Sequence, residues 1–193
     1  MLVIIRGAGD LATGIALRLK RAHISVIMTD IPAPTAIRRT VAFSQAIVLG
    51  ETKVEDVPAR RVETPEAAMA LLQENVVPVL ADPEGICIPV LKPDVVVDAI
   101  LAKRNLGTRI TDAPVVIGVG PGFTAGVDCH AVVETVRKYA KHYRIKSRNL
   151  AENSLDLVLE LRTDEGGKLV REVMGLVGVT SASLLAHDGE VTF

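Results

Sequence analysis

Gly7, Ala8, Gly9, Asp10, Leu11 and Ala12 follow an apolar run, Leu2 to Arg6, and lead into a helical pattern. They fit G-x-G-x-x-A in the strand-to-helix setting that this motif requires. Gly7 permits a tight turn, Gly9 lets a pyrophosphate approach the backbone, and Ala12, with Gly14 behind it, lets the helix pack close to a sheet. The helix N-terminus adds unpaired N–H groups and a partial positive charge. Asp30 lies 23 residues after Gly7, near the spacing of the acid that holds ribose hydroxyls, and an acid there favours NAD over NADP. Methyl donors and other nucleotides suit the same cradle. Asp10 sets a carboxylate where a phosphate would sit; the alternative role for it is a helix cap. A glycine turn that binds nothing, with Asp30 a solvated strand end, also fits these residues.

A second turn, "VVIGVGPGFTAGVD" over 115–128, places Gly118, Gly120 and Gly122 after another apolar run. It reads either as an anion-binding nest that helps form the same pocket or as a turn packed beside the first loop. Asp128, Cys129 and His130 form a polar triplet with either catalytic or metal chemistry, or a buried thiol and a satisfied imidazole. Asp98, Lys103, Arg104 and Asn105 lie just beyond a strand's carboxyl end, where open α/β sheets bind ligands, or make up an ordinary charged loop. No metal is expected. An NAD-dependent oxidoreductase is a second reading, weakened because no Tyr/Lys pair or His with a partner carboxylate stands at a recognisable spacing.

Those loops need a sheet to hold them. Leu2 to Arg6, a helix over 11–22 with Leu11, Ile15 and Leu19 on one face, and Ser25 to Thr29 make a βαβ unit. Val41 to Val62 reads as one or two irregular strands around Gly50. Thr64-Pro65-Glu66 starts a helix, with a Thr cap and Pro at the first position, that ends near Asn75. Further strands are expected over 76–81, up to Asp98, and within 113–120. The fold is therefore α/β, a Rossmann-like open parallel sheet over 1–137. A basic linker over 138–153 and a small ferredoxin-like βαβ unit over 154–193 follow. In that unit Leu155, Leu157, Leu159 and Leu161 alternate with Asp156, Val158, Glu160 and Arg162. Lys168 to Leu176 reads as a helix, Thr180 to Ala186 as a strand, and Asp188-Gly189 as a turn. So small a unit should pack on something or pair between copies as a homo-oligomer, which gives a third reading, a non-catalytic binding or oligomerisation module.

Composition agrees with a buried sheet. Hydrophobic residues make up 49% of the 193, aromatics only 3%, and Trp is absent, so the core is aliphatic and suits strands covered on both faces. No apolar run approaches the roughly 20 residues of a membrane span. With Cys87 and Cys129 as the sole thiols, a disulfide framework is not expected, and the chain reads as cytoplasmic. Net charge is −1, yet Lys138, Lys141, Arg144, Lys146 and Arg148 form a basic stretch with no acid. It reads as a solvated face or linker rather than a contact for nucleic acid or anionic lipid.

"RGAGDLATGIALRLKRA", "TAIRRTVAFSQA", "PDVVVDAILAKRNLGT" and "VIGVGPGFTAGVDCHAVVET" resemble the YqeB family of bacteria, accessory proteins of the selenium-dependent molybdenum hydroxylase system, from residue 1 to about 136. The first loop is also similar to the Rossmann part of xanthine dehydrogenase accessory proteins. The resemblance implies a role in maturing a molybdenum hydroxylase apo-enzyme, with a small-molecule nucleotide or a molybdopterin-type cofactor as ligand, and carries over no catalytic residue. Family members continue past "VVET" into a longer C-terminal half. Here the sequence from "YAKHYRIKSRN" onward resembles instead the cytoplasmic tail of uncharacterised bacterial membrane proteins, which implies a fusion.

Overall fold

The computed structural model describes residues 1–133, 142–151, 154–175 and 181–185. The chain divides into two units, Met1–Val133 and Glu134–Phe193.

The first unit is an open sheet of eight strands: β1 (Leu2–Arg6), β2 (Ser25–Asp30), β3 (Glu51–Val54), β4 (Val57–Val62), β5 (Val77–Ala81), β6 (Val95–Asp98), β7 (Val115–Gly118) and β8 (Ala131–Val132). Their order across the sheet is β3-β4-β5-β2-β1-β6-β7-β8. Every neighbouring pair is parallel except the β3–β4 hairpin. This is the expected Rossmann-like architecture, and its order reverses beside β1, between β2 and β6. Such a reversal opens a crevice at the carboxyl ends of the strands.

Alternation along the central strands explains the layers. Val3 and Ile5 of β1 join Val26, Met28, Val77 and Val79 on one face of the sheet. Against them pack α1 (Asp10–Arg21) and α2 (Gln45–Leu49) through Ala12, Ala16, Leu17, Ala46 and Ile47. Ile4, Ile27, Leu80, Val96 and Val116 form the opposite face, covered by Ala68 of α3 (Pro65–Leu71) and by Cys87 and Ile88 of α4 (Cys87–Leu91). Both faces are dry, which accounts for strands with almost no polar residues.

Two local expectations change, and one helix is new. The buried stripe of α1 is Ala12, Thr13, Ala16 and Leu17, whereas Leu11 is 39% exposed. Small side chains let the helix axis come close to the sheet, and that requirement outweighs the larger residues one position away. The stretch 41–62 contains α2 before the β3–β4 hairpin, because Gly50 (φ +88) ends a helix and its N–H caps the Ala46 carbonyl at 2.8 Å. Residues 87–91 form a short helix whose amide groups at Ile86 and Cys87 are capped by the Asp82 carboxylate at 3.0 and 2.8 Å. The start of α3 is as expected: Thr64 Oγ1 accepts from Ala67 N at 3.2 Å with Pro65 at the first position. A 3-10 turn over Leu72–Glu74 follows, and Asn75 stops it in a left-handed conformation.

In the second unit, β9 (His142–Ala151) and β10 (Ser154–Arg162) pair antiparallel, with a bulge at Val158/Leu159, ahead of α5 (Gly166–Met174). Part of the basic stretch read as a linker is thus a strand. Lys138 and Lys141 lie outside the described residues, as does Asp188-Gly189. Residues 181–185 belong to no strand, and the ends of the strand expected there, Thr180 and Ala186, lie outside the described residues. Among the described residues no helix is long and apolar enough to cross a membrane.

Removing the α3 cap with Thr64→Ala should cost about 1 kcal/mol. Denaturant unfolding reads this directly, and an unchanged midpoint would mean that the cap contributes nothing.

Candidate functional site

β1 and β6 end side by side in the crevice, and a pair of opposite charges joins them. Arg6 and Asp98 are register partners, both 1% exposed, with Arg6 Nη1 3.5 Å from Asp98 Oδ2. The Thr108 hydroxyl donates to Asp98 Oδ2 at 2.5 Å and accepts from Arg6 Nη1. Arg6 Nη2 donates to the carbonyls of Pro83 at 2.8 Å and Leu106 at 3.1 Å, while Arg6 Nε is buried without a partner among the described residues. One buried guanidinium thus ties together the loops that leave β1, β5 and β6.

The first glycine loop grows out of this joint. Gly7 has φ +93, and a Cβ there would lie 2.9 Å from the Ala99 carbonyl oxygen. The fold itself therefore demands glycine at this position, for conformation and for space. Ala8 donates its N–H to Asp30 Oδ2 at 2.9 Å, and its carbonyl accepts from Ser44 N at 2.8 Å and Thr13 Oγ1 at 3.3 Å. Thr13 Oγ1 in turn accepts from Phe43 N at 2.9 Å. Ala12 is buried under the loop and Leu11 faces outward.

Gly9 is different. It caps α1 with φ −66, a conformation open to any residue, and a Cβ there would meet nothing within 4 Å. Neither strain nor crowding in the fold calls for glycine; the space in front of it is empty. Gly14 also faces open space, so Ala16 rather than Gly14 makes the close contact with the sheet.

Asp30 joins the loop in an unexpected role. Besides Ala8 N it accepts from its own neighbour Ile31 N at 2.8 Å, so each carboxylate oxygen already holds a backbone N–H. Burial pushes its carboxyl above the usual range, and the two N–H donors offset only part of this. Asp10 turns Oδ1 to Leu11 N at 2.9 Å and pairs Oδ2 with the exposed Arg38.

The second glycine loop meets the first through the segment 99–108. The missing side chain of Gly118 is replaced by the Phe123 ring, and a Cβ on Gly122 would lie 2.6 Å from the Arg104 carbonyl carbon. Gly120 has φ +119 and lies against Leu101. Packing thus calls for glycine at 118 and 122, and backbone conformation calls for it at 120. Asn105 locks the junction: its Nδ2 donates to Thr108 O at 2.7 Å and Asp128 Oδ1 at 3.0 Å, and its Oδ1 accepts from Thr108 N at 2.8 Å.

The triplet 128–130 is held in the same way. Asp128 Oδ2 accepts from Thr124 N at 2.8 Å, Cys129 is in the core, and His130 Nδ1 accepts from Val116 N at 3.0 Å. Burial raises the Cys129 thiol, and it pushes Cys87 up to about 12, helped by Asp82. Neither forms a thiolate near neutral pH. No group of three metal-ligating side chains occurs among the described residues.

The anchoring residues Arg6, Thr13, Phe43 and Thr108 were missed from the sequence. A trace was there: "LVIIR" and "VVVD" each end an apolar run with a charge, one of each sign.

Gly9→Ala should change stability by no more than about 1 kcal/mol, because the gain from a stiffer unfolded chain opposes the loss of a glycine N-cap, whereas Gly7→Ala should lose more than that. Equal losses in denaturant unfolding would show that Gly9, too, is needed by the fold. Because Asp30 has a raised pKa in the folded state, its native contribution is greatest below the unfolded value of about 3.9 and fades as pH rises through the folded value. Relative to Asp30→Asn, the native protein should therefore lose stability as pH rises above about 4. Parallel pH profiles of the two would contradict a raised Asp30 pKa.

Comparison with known proteins gives one relationship. The chain is 57% identical over 136 residues to "Uncharacterized protein YqeB" of Escherichia coli (strain K12). The aligned part is 70% of this chain and 25% of that protein, so the chain spans about a quarter of the length of its curated relative. No family model matches, and no solved structure matches. Over those 136 residues the chain is a homologue of YqeB.

Proposed function

We propose that the first unit binds the diphosphate of a nucleotide or nucleotide-bearing cofactor over Gly9, at the carboxyl ends of β1 and β6. The supporting observation is Gly9 itself: a glycine with an ordinary φ and open space where its side chain would be, at the start of a twelve-residue helix. Gly7 makes the turn, Ala8 is held back by Asp30, and the first-turn N–H groups of α1 other than that of Leu11, which Asp10 accepts, face the ligand's anionic oxygens. A ribose hydroxyl would use the lone pairs that remain on Asp30. The donor set suits NAD and equally the nucleotide end of a molybdopterin-type cofactor. With the motif resemblance, this supports an accessory role in maturing a molybdenum hydroxylase, through binding rather than through a catalytic residue of its own.

The test is a calorimetric and thermal-shift panel of NAD, NADP, FAD, CTP, S-adenosylmethionine and a molybdopterin fraction, with Gly9→Val beside the native protein. A ligand at 100 times its dissociation constant should stabilise the native protein by about 2.7 kcal/mol. The same ligand should leave Gly9→Val unshifted. A panel in which nothing binds, or in which Gly9→Val binds as well as the native protein, would remove the nucleotide reading.

A further inference from the structure

Beyond the glycine loop, the segment after β6 has the marks of a recognition loop, and we infer that Lys103 and Arg104 on it grip the anionic phosphate oxygens of the ligand placed over Gly9. This rests on the proposed nucleotide site and names the cationic half of it.

The loop begins against that site, since the Ala99 carbonyl and Ile100 amide are the atoms that crowd Gly7. Its conformation is held from several sides. Asp98 Oδ1 accepts from Ile100 N at 3.1 Å, Arg6 binds the carbonyl of Leu106 and the hydroxyl of Thr108, and Asn105 bridges to Asp128. The backbone of Ala102 and Arg104 packs on Gly122 so closely that a Cβ there would lie 3.0 and 2.6 Å from it. Within this framework Leu101 has φ +63, a left-handed conformation uncommon for a residue other than glycine. Strain of this kind persists only where surroundings over-determine it, and it concentrates at ligand-binding segments.

What the loop displays is charge. Lys103 and Arg104 are adjacent and exposed, and among the described residues neither has a hydrogen bond or ion pair through its side chain. Every other polar side chain from Asp98 to Thr108 is tied into the network. The segment that leaves the carboxyl end of β6, where the strand order reverses, thus carries two cations that have no partner among the described residues. Arg supplies a planar fork for two phosphate oxygens and Lys a mobile point charge. The chemical class recognised is a diphosphate, whatever nucleoside it bears.

The experiment is calorimetry with NAD and with inorganic pyrophosphate at two ionic strengths, on the native protein, Lys103→Ala/Arg104→Ala, Arg104→Lys and Gly9→Val. Both exposed substitutions should leave the unfolding midpoint unchanged. The double variant should bind both probes at least tenfold more weakly and with a shallower salt dependence, and Arg104→Lys should recover part of the loss. If the double variant binds with native affinity and salt dependence while Gly9→Val does not bind, the cationic role is wrong and the glycine-loop reading stands. If the native protein binds neither probe, both readings fall.

Discussion

Arg6 and Asp98 form the joint on which the candidate site depends. A buried ion pair is weak evidence for stability, since desolvating two charges offsets most of their attraction. This one is placed where an apolar pair could not do the same work. Its hydrogen bonds reach Pro83, Leu106 and Thr108, and so fix the ends of three strands relative to one another. Gly7 can turn against Ala99 because those strand ends are held in register. From Thr108 the bonding continues through Asn105 to Asp128 and Thr124, so the two glycine loops belong to one connected framework.

Within that framework the glycines divide by what requires them. Gly7, Gly118 and Gly122 leave room for protein atoms, whereas Gly9 leaves room for none. The distinction separates glycines that the packing of the loops requires from one, at the start of α1, that it does not. Asp30 shows the same economy: a carboxylate expected to meet a ribose is also the acceptor that holds Ala8 in place. Its burial raises the cost of its charge, and the two N–H groups it receives reduce that cost. The relationship to YqeB covers 136 residues, and the first unit ends at Val133.

Much of this was legible in the sequence, for a physical reason: strands buried on both faces must be apolar throughout, and turns with positive φ must use glycine. Those two rules mark β1, β2, β5, β6 and β7 and the first glycine loop, and Thr64-Pro65 marks the start of α3. They also place Asp98, Lys103, Arg104 and Asn105 at a strand's carboxyl end. Residues 41–62 were read less well, because α2 is only five residues long and its periodicity is too brief to tell from a strand.

What tertiary structure alone decided is which residue meets which. No local pattern distinguishes Gly9, facing empty space, from Gly118, filled by the Phe123 ring, since both are glycines after an apolar run. Nor does spacing reveal that Arg6 pairs with Asp98 across 92 positions, or that Asn105 reaches Asp128. Sequence determines local conformation through short-range sterics and periodic burial. The pairing of distant charges and the filling of particular spaces are set only when the parallel sheet brings the strand ends together.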